Sequence, residues 1–293
     1  MNIAPGVFSN VPYATAALPH SDFRRLSALI HSQCGIKMPD AKKVMLEARL
    51  RKRLRALVIS SFREYCDFLF SPEGMQQELP EMINAVTTNK TDFFREPRHF
   101  DFLVGTALPD LMSACGTGMR RGLKIWSAGC STGEEPYTIA MVLANARDEN
   151  YPELDFSIEA TDICTRALAH AKRGVYKEER IAPVPACLKK KFMMRSKDKS
   201  SELVRVAPEV RAMVAFRKLN LMDRDFGFDA PVDIIFCRNV IIYFDRPTQE
   251  KLLGRLCANL LPGGYLFMGH SETLNGLSMP LMSAGPMVYK KVP

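Results

Sequence analysis

The sequence lacks the features that mark membrane proteins and secreted proteins. No stretch reaches the roughly 18 consecutive apolar residues that a bilayer-spanning helix needs. The longest apolar segment, around 233–244, is interrupted by Arg238 and Asn239. Residues 1–19 contain three prolines and no charged side chain, which is typical of a loose tail and not of a signal peptide with a basic start. We therefore expect a soluble, cytoplasmic protein with no membrane insertion.

Paired metal ligands are also missing. The eight cysteines include no C-x-x-C pair, and the nearest two lie 15 positions apart. That spacing fits neither a zinc site nor a disulfide framework, so reduced core thiols are the simpler interpretation. The five histidines show no ligand pairing along the chain. No metal site is predicted.

Acidic residues are too few to balance two basic stretches. The net charge is +8; residues 40–58 hold seven Lys/Arg against two acids, and residues 172–224 hold fifteen against six. Such patches favour an acidic partner, which can be nucleic acid, anionic lipid or an acidic protein surface. Composition does not choose among the three.

Helical patterns predict a small all-helical domain over 20–90. Ser21 can cap the first helix, which ends near Gly35, and Ser61 and Glu64 have the spacing of a capping box for the third. Pro80 predicts a kink in the fourth. The four helices are predicted over 22–34, over 40–58, from residue 61 onward and over 73–86.

The second of these helices has two distinct sides. By 3.6-residue spacing an apolar stripe is formed by Leu46, Leu50, Leu54 and Leu57. The opposite side is basic and consists of Lys42, Arg49, Arg51, Lys52, Arg53 and Arg55. It is either a solvated face or a docking surface for an acidic partner, and the sequence leaves both open.

From residue 123 short apolar runs alternate with helical patterns, after a linker and junction over 91–122. Strands are predicted over 123–128, 156–161, 214–219, 232–237 and 265–269, with helices over 135–146, 165–173 and 248–259 between them. The alternation predicts a doubly wound, Rossmann-like α/β domain over 123–293, whose ligand binds at the carboxyl ends of the strands.

The alternation lapses over about 175–211, which is basic and contains three prolines. A hairpin formed by 202–206 and the residues from Val210 onward makes this stretch a small β insertion. Internal repeats are absent, and no heptad seam is evident, so a monomer is expected.

The motif WSAGCSTGEEPY, residues 126–137, follows the first predicted strand. Glycine turns of this kind bring backbone N–H groups to a helix start and suit a phosphate, but here Glu134 and Glu135 stand beside the turn. After the second strand, Asp162 is placed to accept hydrogen bonds from ribose hydroxyls. A tight structural turn and a helix-capping Asp remain the alternative.

The two glutamates favour one nucleoside ligand over others. Like-charge repulsion would oppose the phosphates of NAD or ATP, and the lysine of a G-x-x-x-x-G-K-[ST] loop is absent. S-adenosylmethionine has the ribose and adenine, lacks phosphate, and carries a sulfonium and an ammonium. S-adenosylmethionine is therefore the predicted cofactor.

Two further motifs carry polar groups to the expected ligand edge. FCRNVIIYFD (236–245) ends a buried strand in Arg-Asn, and it lacks both the Asn/Asp-Pro-Pro-aromatic and the Pro-Cys elements of nucleic-acid base methyltransferases. In TTNKTDFFREPRHF (87–100), Asn89, Thr91 and Arg95 could share one side of a turn or helix. For 87–100 the alternative is a helix cap with buried aromatic side chains. For 236–245 the alternative is a structural loop whose polar groups bond within the protein.

Six motifs together resemble the CheR-type chemoreceptor methyltransferases of bacterial chemotaxis. In order they are TTNKTDFFRE, WSAGCSTGEEPY, ATDI, FRKLNLMD, FCRNVIIYFD and LLPGGYLFMGHSE, behind a helical domain with a basic second helix. The resemblance extends from about residue 22 to 290. It implies a protein-glutamate O-methyltransferase that uses S-adenosylmethionine and releases S-adenosylhomocysteine.

The resemblance also implies roles for individual residues. Arg95 and Tyr243 would lie at the reaction centre. Cofactor contacts would come from Asn89, Thr91, Arg95, Gly129, Glu135, Asp162, Asn220, Leu221, Arg238 and Asn239.

Chemoreceptors are the implied partners. The family's receptor-docking helix matches 40–58, and the 175–211 insertion resembles a subdomain that grips a tethering pentapeptide in some members. The turn RSKDKSS (195–201) is charged and lacks glycine, so the sequence leaves the tether open. The alternatives are a nucleic-acid methyltransferase and a non-catalytic cofactor-binding scaffold. The absence of the sequence elements that recognise a target base opposes the first, so we expect no nucleic-acid partner. The presence of both Arg95 and Tyr243 opposes the second.

Overall fold

The computed structural model describes residues 17–117, 121–198, 200–274 and 276–292, with the backbone alone at 114 and 115. The predicted tail lies almost wholly outside these ranges. The chain forms two compact units, the first ending at Thr87 and the second running from Thr88 to the C-terminus. Among the described residues no helix is long and apolar enough to cross a membrane.

The first unit is all-helical, as predicted. Its helices are α1 (His20–Cys34), α2 (Lys43–Leu57, after a 3-10 turn at Asp40–Lys42), α3 (Phe62–Leu69), α4 (Pro72–Gln77) and α5 (Leu79–Val86). Gly35 ends α1 in the left-handed conformation, at φ 70°. The prediction for Ser21 was wrong, because α1 begins one residue before it, at His20, behind Pro19 and without a side-chain cap.

Two other helix predictions need correction. Ser61 does cap α3 by accepting from the Glu64 N–H at 3.2 Å, but the Glu64 carboxylate returns to the N–H of Ser60 and not to that of Ser61. The single helix predicted over 73–86 is two helices. Pro80 lies in the first turn of the second one, where a missing N–H costs nothing, so it helps to start a helix and does not kink one.

The basic side of α2 is narrower than its sequence suggested. Arg49 donates to the carbonyls of Val86 and Thr87, and Arg53 donates to the buried carboxylate of Glu78. These two guanidiniums hold α2 against the two ends of α5. Lys52 and Arg55 are exposed, so they supply the solvent-facing charge.

The second unit contains the predicted α/β domain. Its helices are α6 (Arg98–Phe102, continued by a π-helical turn Leu103–Ala107), α7 (Leu108–Cys115), α8 (Glu134–Glu149), α9 (Thr165–Arg173), α10 (Ala186–Phe192), α11 (Pro208–Ala212) and α12 (Arg246–Ala258). Its strands are β1 (Leu123–Ala128), β2 (Phe156–Asp162), β3 (Val175–Lys177), β4 (Met193–Arg195), β5 (Leu203–Val206), β6 (Val214–Lys218), β7 (Val232–Cys237), β8 (Leu260–Met268), β9 (Leu281–Gly285) and β10 (Val288–Lys291).

Seven of these strands form one sheet in the order β6-β2-β1-β7-β8-β10-β9. The first five run parallel, and β10 and β9 add an antiparallel edge. The doubly wound prediction is confirmed, as is each predicted strand within a few residues. Strands β9 (LMSAG) and β10 (VYKK) were not predicted, because both are short and neither alternates apolar with polar residues.

The β insertion is confirmed, but its hairpin was placed wrongly. Strand β5 lies between β3 and β4 in a separate three-stranded antiparallel sheet, and the hairpin joins β4 to β5. The second hairpin strand was predicted from Val210 onward, but Val210 lies in α11 (Pro208–Ala212) instead. A proline at the first helical position, which favours a helix start, was the available signal.

The core of the second unit is aliphatic and aromatic and lies against both faces of the large sheet. Trp126, the only tryptophan of the chain, is fully buried in β1 and donates its indole N–H to Thr161 at 2.9 Å. Among the cysteines whose side chains are described, all but Cys187 are buried. Their burial agrees with the sequence interpretation of core thiols.

Candidate active site

The predicted site residues lie where four neighbouring strands end. Strands β6, β2, β1 and β7 are adjacent and parallel, so their carboxyl ends share one edge of the sheet. The chain leaves β1 toward β2 on one side and leaves β7 toward β8 on the other, which makes the β1–β7 gap the topological switch point where doubly wound sheets bind ligands. At this edge stand Asn220 and Leu221, Asp162, Gly129, and Arg238 with Asn239.

Both glycines of the β1–α8 loop are required by protein neighbours. Gly129 has φ 81°, and a Cβ there would lie 2.6 Å from Cγ2 of Val240. Gly133 has φ 97°, and a Cβ there would lie 2.9 Å from both Ala171 Cβ and Tyr176 Oη. Close approach of a ligand is therefore not needed to explain these glycines. Gly129 lets the loops after β1 and β7 pack together, and Gly133 lets the loop pack against α9 and β3.

The two glutamates after the loop each have an arginine partner. Oε1 of the buried Glu134 accepts from Arg180 at 2.8 Å. Glu135 accepts from Arg238 at 3.2 Å and from Ser127 Oγ at 2.7 Å. Burial raises the pKa of Glu135 against the lowering effect of Arg238. Since both carboxylates are paired with cations, the repulsion of phosphate inferred from the sequence is weaker than expected.

Arg238 connects the β7 end to the segment that precedes α6. Its side chain is 2% exposed, and it donates to Glu96 at 3.1 Å, to Glu135 and to the main-chain carbonyl of Arg95. Burial alone would raise the pKa of Glu96, but the charge of Arg238 brings it below the usual value. Arg238 is thus a buried link between two predicted site elements.

Asp162 organises the loop opposite it. Its carboxylate accepts from the N–H of Ser131 and the N–H of Cys164, both at 2.8 Å. Ser131 in turn donates its hydroxyl to the carbonyl of Asn89 at 3.0 Å, and the Asn89 amide reaches Cys164 Sγ at 3.2 Å. Burial raises the pKa of Asp162, and its backbone hydrogen bonds oppose the rise. Asn89 and Asp162, 73 positions apart in sequence, are therefore joined through Ser131.

Asn220 and Leu221 form the turn that follows β6. The Asn220 side chain accepts from the Met222 N–H at 3.0 Å, and Leu221 is buried. Arg255 from α12 donates to the carbonyls of Leu221, Met222 and Asp223, which fixes the turn. The Leu219 N–H bonds to the Asp162 carbonyl at 3.1 Å, so the turn directly adjoins the end of β2.

The segment 88–96 carries three predicted site residues and is not helical. It has no regular structure up to Asp92, and a turn with positive φ at Phe94 and Glu96 follows. The sequence allowed Asn89, Thr91 and Arg95 to share one side of a turn or a helix, and the structure has a turn here. Phe93 is fully buried against Tyr176, which confirms the buried-aromatic part of the alternative. Arg95 and Thr91 are partly exposed.

Arg180 fastens the insertion to this segment. It donates to Asp92 Oδ1 at 2.8 Å, to the Thr91 carbonyl and to Glu134. The insertion thus contacts both the 88–96 segment and the start of α8. Nothing in the sequence signalled this arginine except its place in a basic stretch, because its three partners lie 46 to 89 positions away.

Tyr243 lies in a 3-10 turn, Ile241–Tyr243, just after Asn239. Asn239 has φ 59°, and its left-handed conformation reverses the chain at the end of β7. Tyr243 is partly exposed, and its neighbour Ile242 is 45% exposed. An aromatic hydroxyl with an apolar side chain beside it therefore stands at the rim of the strand-end edge.

Two histidines, expected to be unpaired, come together. The rings of His99 and His270 are 5.8 Å apart, and Glu96, His99 and His270 offer ligand atoms within 4.8 Å of one another. Arg238 occupies the same Glu96 oxygen, Oε2, that faces His99 Nδ1. A divalent cation there would confront the guanidinium directly, so we assign no metal to these residues.

His99 gives the second unit a pH-dependent stability. Burial, and then the charge of Arg238, lower its pKa from the usual 6.5 to about 4, so the folded state holds it neutral. Its contribution is complete above pH 6.5 and is lost as pH falls toward 4. We expect His99 alone to make the unit about 2 kcal/mol less stable at pH 5 than at pH 7.5.

Urea unfolding followed by Trp126 fluorescence measures this loss. Trp126 is the only tryptophan and belongs to the second unit, so the signal reports that unit. His99→Gln keeps a donor for the Pro286 carbonyl and does not titrate. An equal pH dependence in wild type and variant would contradict the role given to His99.

Two family models match the chain in order. The all-alpha domain of the CheR methyltransferases matches residues 21–87, and their SAM binding domain matches residues 89–285. The chain belongs to the CheR methyltransferase family. It therefore carries a domain that binds S-adenosylmethionine, and the predictions of family, fold class and cofactor are confirmed.

Full-length relatives agree with the CheR assignment. A chemotaxis protein methyltransferase of Borreliella burgdorferi is 40% identical over 92% of this chain and 94% of its own length. Chemotaxis protein methyltransferase 2 of Pseudomonas aeruginosa is 42% identical over 92% of each chain. The Escherichia coli chemotaxis protein methyltransferase is 38% identical over 93% of this chain and 91% of its own. The chain is an S-adenosylmethionine-dependent methyltransferase of the chemotaxis type.

The site fits this cofactor on its own chemistry. Asp162 is a buried carboxylate whose bonds in the described structure come from backbone N–H groups and not from a cation. It stands at the end of the second strand, where such acids hold a ribose. The carboxylates of Glu134 and Glu135 are already neutralised by arginines, whereas that of Asp162 is not, so its negative charge suits a cationic nucleoside.

Proposed function

We propose that the protein transfers the methyl group of S-adenosylmethionine to glutamate side chains on the cytoplasmic helical region of chemoreceptors. The products are glutamate methyl esters and S-adenosylhomocysteine. The observation that carries the proposal is the contrast between two arginines. Arg238 is buried and bound by two carboxylates, whereas the partly exposed Arg95, among the described residues, donates to the Lys90 carbonyl and to no carboxylate. Arg95 is therefore available to an incoming anion.

Methyl transfer to a carboxylate requires no proton transfer by the protein. A glutamate carboxylate is ionised at neutral pH and is already a nucleophile, so the site needs no general base. Bound S-adenosylmethionine supplies an electrophilic methyl group on a sulfonium. Arg95 and Tyr243 orient the carboxylate, and Arg95 must position it without holding it so tightly that it loses nucleophilicity. Alignment of this kind is worth roughly 7–11 kcal/mol in favourable cases.

The strand-end residues hold the cofactor in this proposal. Asp162 takes the ribose, and the segment with Asn89, Thr91 and Arg95 covers the reacting end. Glu135 and Arg238 set the shape of the pocket wall by bonding to each other and to the segment before α6. Gly129, Asn220, Leu221 and Asn239 shape the loops on either side.

Receptor docking is proposed for the exposed part of α2. Lys52 and Arg55 face solvent, and the acidic helices of receptors offer the complementary charge. Binding of a receptor's C-terminal tether is proposed for the insertion, whose β4–β5 turn is charged. Both surfaces concern substrate capture and not the transfer step.

Arg95 can be tested separately from its neighbours. Arg95→Ala is expected to lower turnover roughly 10- to 100-fold, because the carboxylate loses the cation that orients it. Methyl transfer and S-adenosylmethionine affinity are measured in parallel. Arg98→Ala, an exposed arginine three residues on, is the matched control and should keep full turnover. Full activity with normal cofactor binding in Arg95→Ala would remove Arg95 from the mechanism.

One assay distinguishes the proposed reaction from its rivals. The protein is incubated with methyl-labelled S-adenosylmethionine and either receptor cytoplasmic fragments or RNA, and alkali is then added. Carboxyl methyl esters release volatile methanol, which is the expected result with the receptor fragments. Alkali-stable label on RNA would indicate a nucleic-acid methyltransferase, and no transfer to either would indicate a cofactor-binding scaffold.

A further inference from the structure

Glu272 is a buried carboxylate, 2% exposed, that binds the backbone around Asn239. Its Oε2 accepts from the N–H groups of Gly269 and Asn239, each at 2.7 Å. Its Oε1 accepts from the N–H groups of Val240 at 2.7 Å and Ile241 at 2.8 Å. One side chain therefore satisfies three successive backbone donors after β7 and a fourth after β8.

This loop cannot satisfy those donors by itself. Strand β7 has ended, and Asn239 adopts φ 59°, so its N–H and the next two converge on one point instead of pairing in the sheet. Buried N–H groups without partners are strongly unfavourable. Gly269 allows the convergence, since a Cβ there would lie 2.5 Å from Asn239 Nδ2 and 2.8 Å from its backbone N.

Gln249 binds the same turn from its other side. Its amide donates to the carbonyl of Ile241 at 2.9 Å and to that of Phe244 at 3.1 Å. Tyr243 lies between these two carbonyls. The turn that carries Tyr243 is thus held at its N–H groups by Glu272 and at its carbonyl groups by Gln249.

We propose that Glu272 is a positioning residue for methyl transfer, which acts by fixing the 239–241 backbone and through it the location of Tyr243. The inference rests on the role of Tyr243 in the proposed function. Glu272 itself is buried and its oxygens are occupied by four donors, so it reaches the reaction through the turn and not by touching substrate.

The primary variant is Glu272→Gln, which keeps the size of the side chain but turns an NH2 group toward backbone donors. We expect kcat to fall about tenfold while S-adenosylmethionine Kd changes less than twofold. Asp233→Asn is the matched control. Asp233 is also a buried acid that accepts a backbone N–H, from Lys124 at 2.9 Å, but it lies near the opposite end of β7. Asp233→Asn should keep wild-type kcat even where it lowers stability.

A double-mutant cycle with Tyr243→Phe separates positioning from general structural support. If Glu272 acts through Tyr243, Glu272→Gln lowers kcat about tenfold in the wild-type background and less than twofold in the Tyr243→Phe background. A tenfold loss in both backgrounds, an unchanged kcat, or full activity of Tyr243→Phe alone would each overturn the inference. Absence of alkali-labile methyl transfer by the wild-type protein would instead refute the proposed function.

Gln249→Ala keeps the test decisive if Glu272→Gln does not fold. Gln249 lies on the partly exposed side of α12, and its loss frees the same turn without leaving a buried charge. The expected result is the same non-additivity with Tyr243→Phe. Additive losses for this pair would contradict control of Tyr243 by the turn.

Discussion

Arg238→Met is expected to lower the free energy of unfolding of the methyltransferase unit by about 3–5 kcal/mol. Arg238 is the cation that both Glu96 and Glu135 contact, at 3.1 and 3.2 Å, and methionine of similar length leaves both carboxylates, whose side chains are only 10% and 12% exposed, without it. The loss exceeds the value of the ion pairs themselves, because unpaired buried charges must be desolvated. Trp126 fluorescence during urea unfolding measures it.

Charge removal should restore much of this stability. In Arg238→Met combined with Glu96→Gln and Glu135→Gln, no uncompensated carboxylate remains, so we expect most of the loss to be recovered. Arg217→Met is the control on the edge strand β6; Arg217 pairs with Glu159, and because their side chains are 38% and 32% exposed, water solvates the carboxylate left behind and we expect a smaller loss. If the triple variant were no more stable than Arg238→Met, the buried-charge explanation would fail.

Asp162→Ala is expected to weaken S-adenosylmethionine binding by roughly 10²- to 10⁴-fold. Two hydrogen bonds from ribose hydroxyls to a carboxylate are worth about 1.5–3 kcal/mol each, and this range converts directly into that loss of affinity. The Ser131 N–H, now paired with Asp162, also loses its partner. Calorimetric titration with S-adenosylmethionine measures the change. Asp155→Ala, an exposed acid just before the same strand, should leave the affinity unchanged.

A second ligand identifies the contact that Asp162 makes. An S-adenosylmethionine analogue without the ribose 2′ and 3′ hydroxyls should bind the wild-type protein much more weakly than the natural ligand. It should bind Asp162→Ala no more weakly than S-adenosylmethionine itself does. If the variant still discriminated strongly between the two ligands, the hydroxyls would have another partner and the ribose role would be wrong.

The sequence was a good guide wherever the determining contacts are local. The strands of the parallel sheet and helix α9 follow from runs of apolar residues with flanking turn signals, and the structure has α9 at the predicted residues 165–173. The C-terminal glycine of α1 acts within one turn and was also predicted correctly. Ser21 failed because a serine near a helix start can be included in the first turn once packing extends the helix.

In the β1–α8 loop the cofactor was predicted correctly, but the reasons inferred for the glycines and glutamates were incomplete. The cofactor prediction is confirmed, but Gly129 and Gly133 make room for Val240, Ala171 and Tyr176. Glu134 and Glu135 are also less repulsive than their sequence implies, because Arg180 and Arg238 neutralise them. Both arginines come from distant parts of the chain, so no local pattern could reveal the pairing.

By itself, the sequence determined the alternation of strands and helices, the helical first unit and the family motifs, since these depend on periodicity and on short runs of residues. The tertiary structure decided which charged side chains are paired inside the protein and which can meet a ligand. It buried Arg238 between two carboxylates, joined Asn89 to Asp162 through Ser131, and gathered four backbone donors around Glu272. Those contacts span from a few to more than a hundred positions, and the charge state and exposure of a side chain depend on everything packed around it.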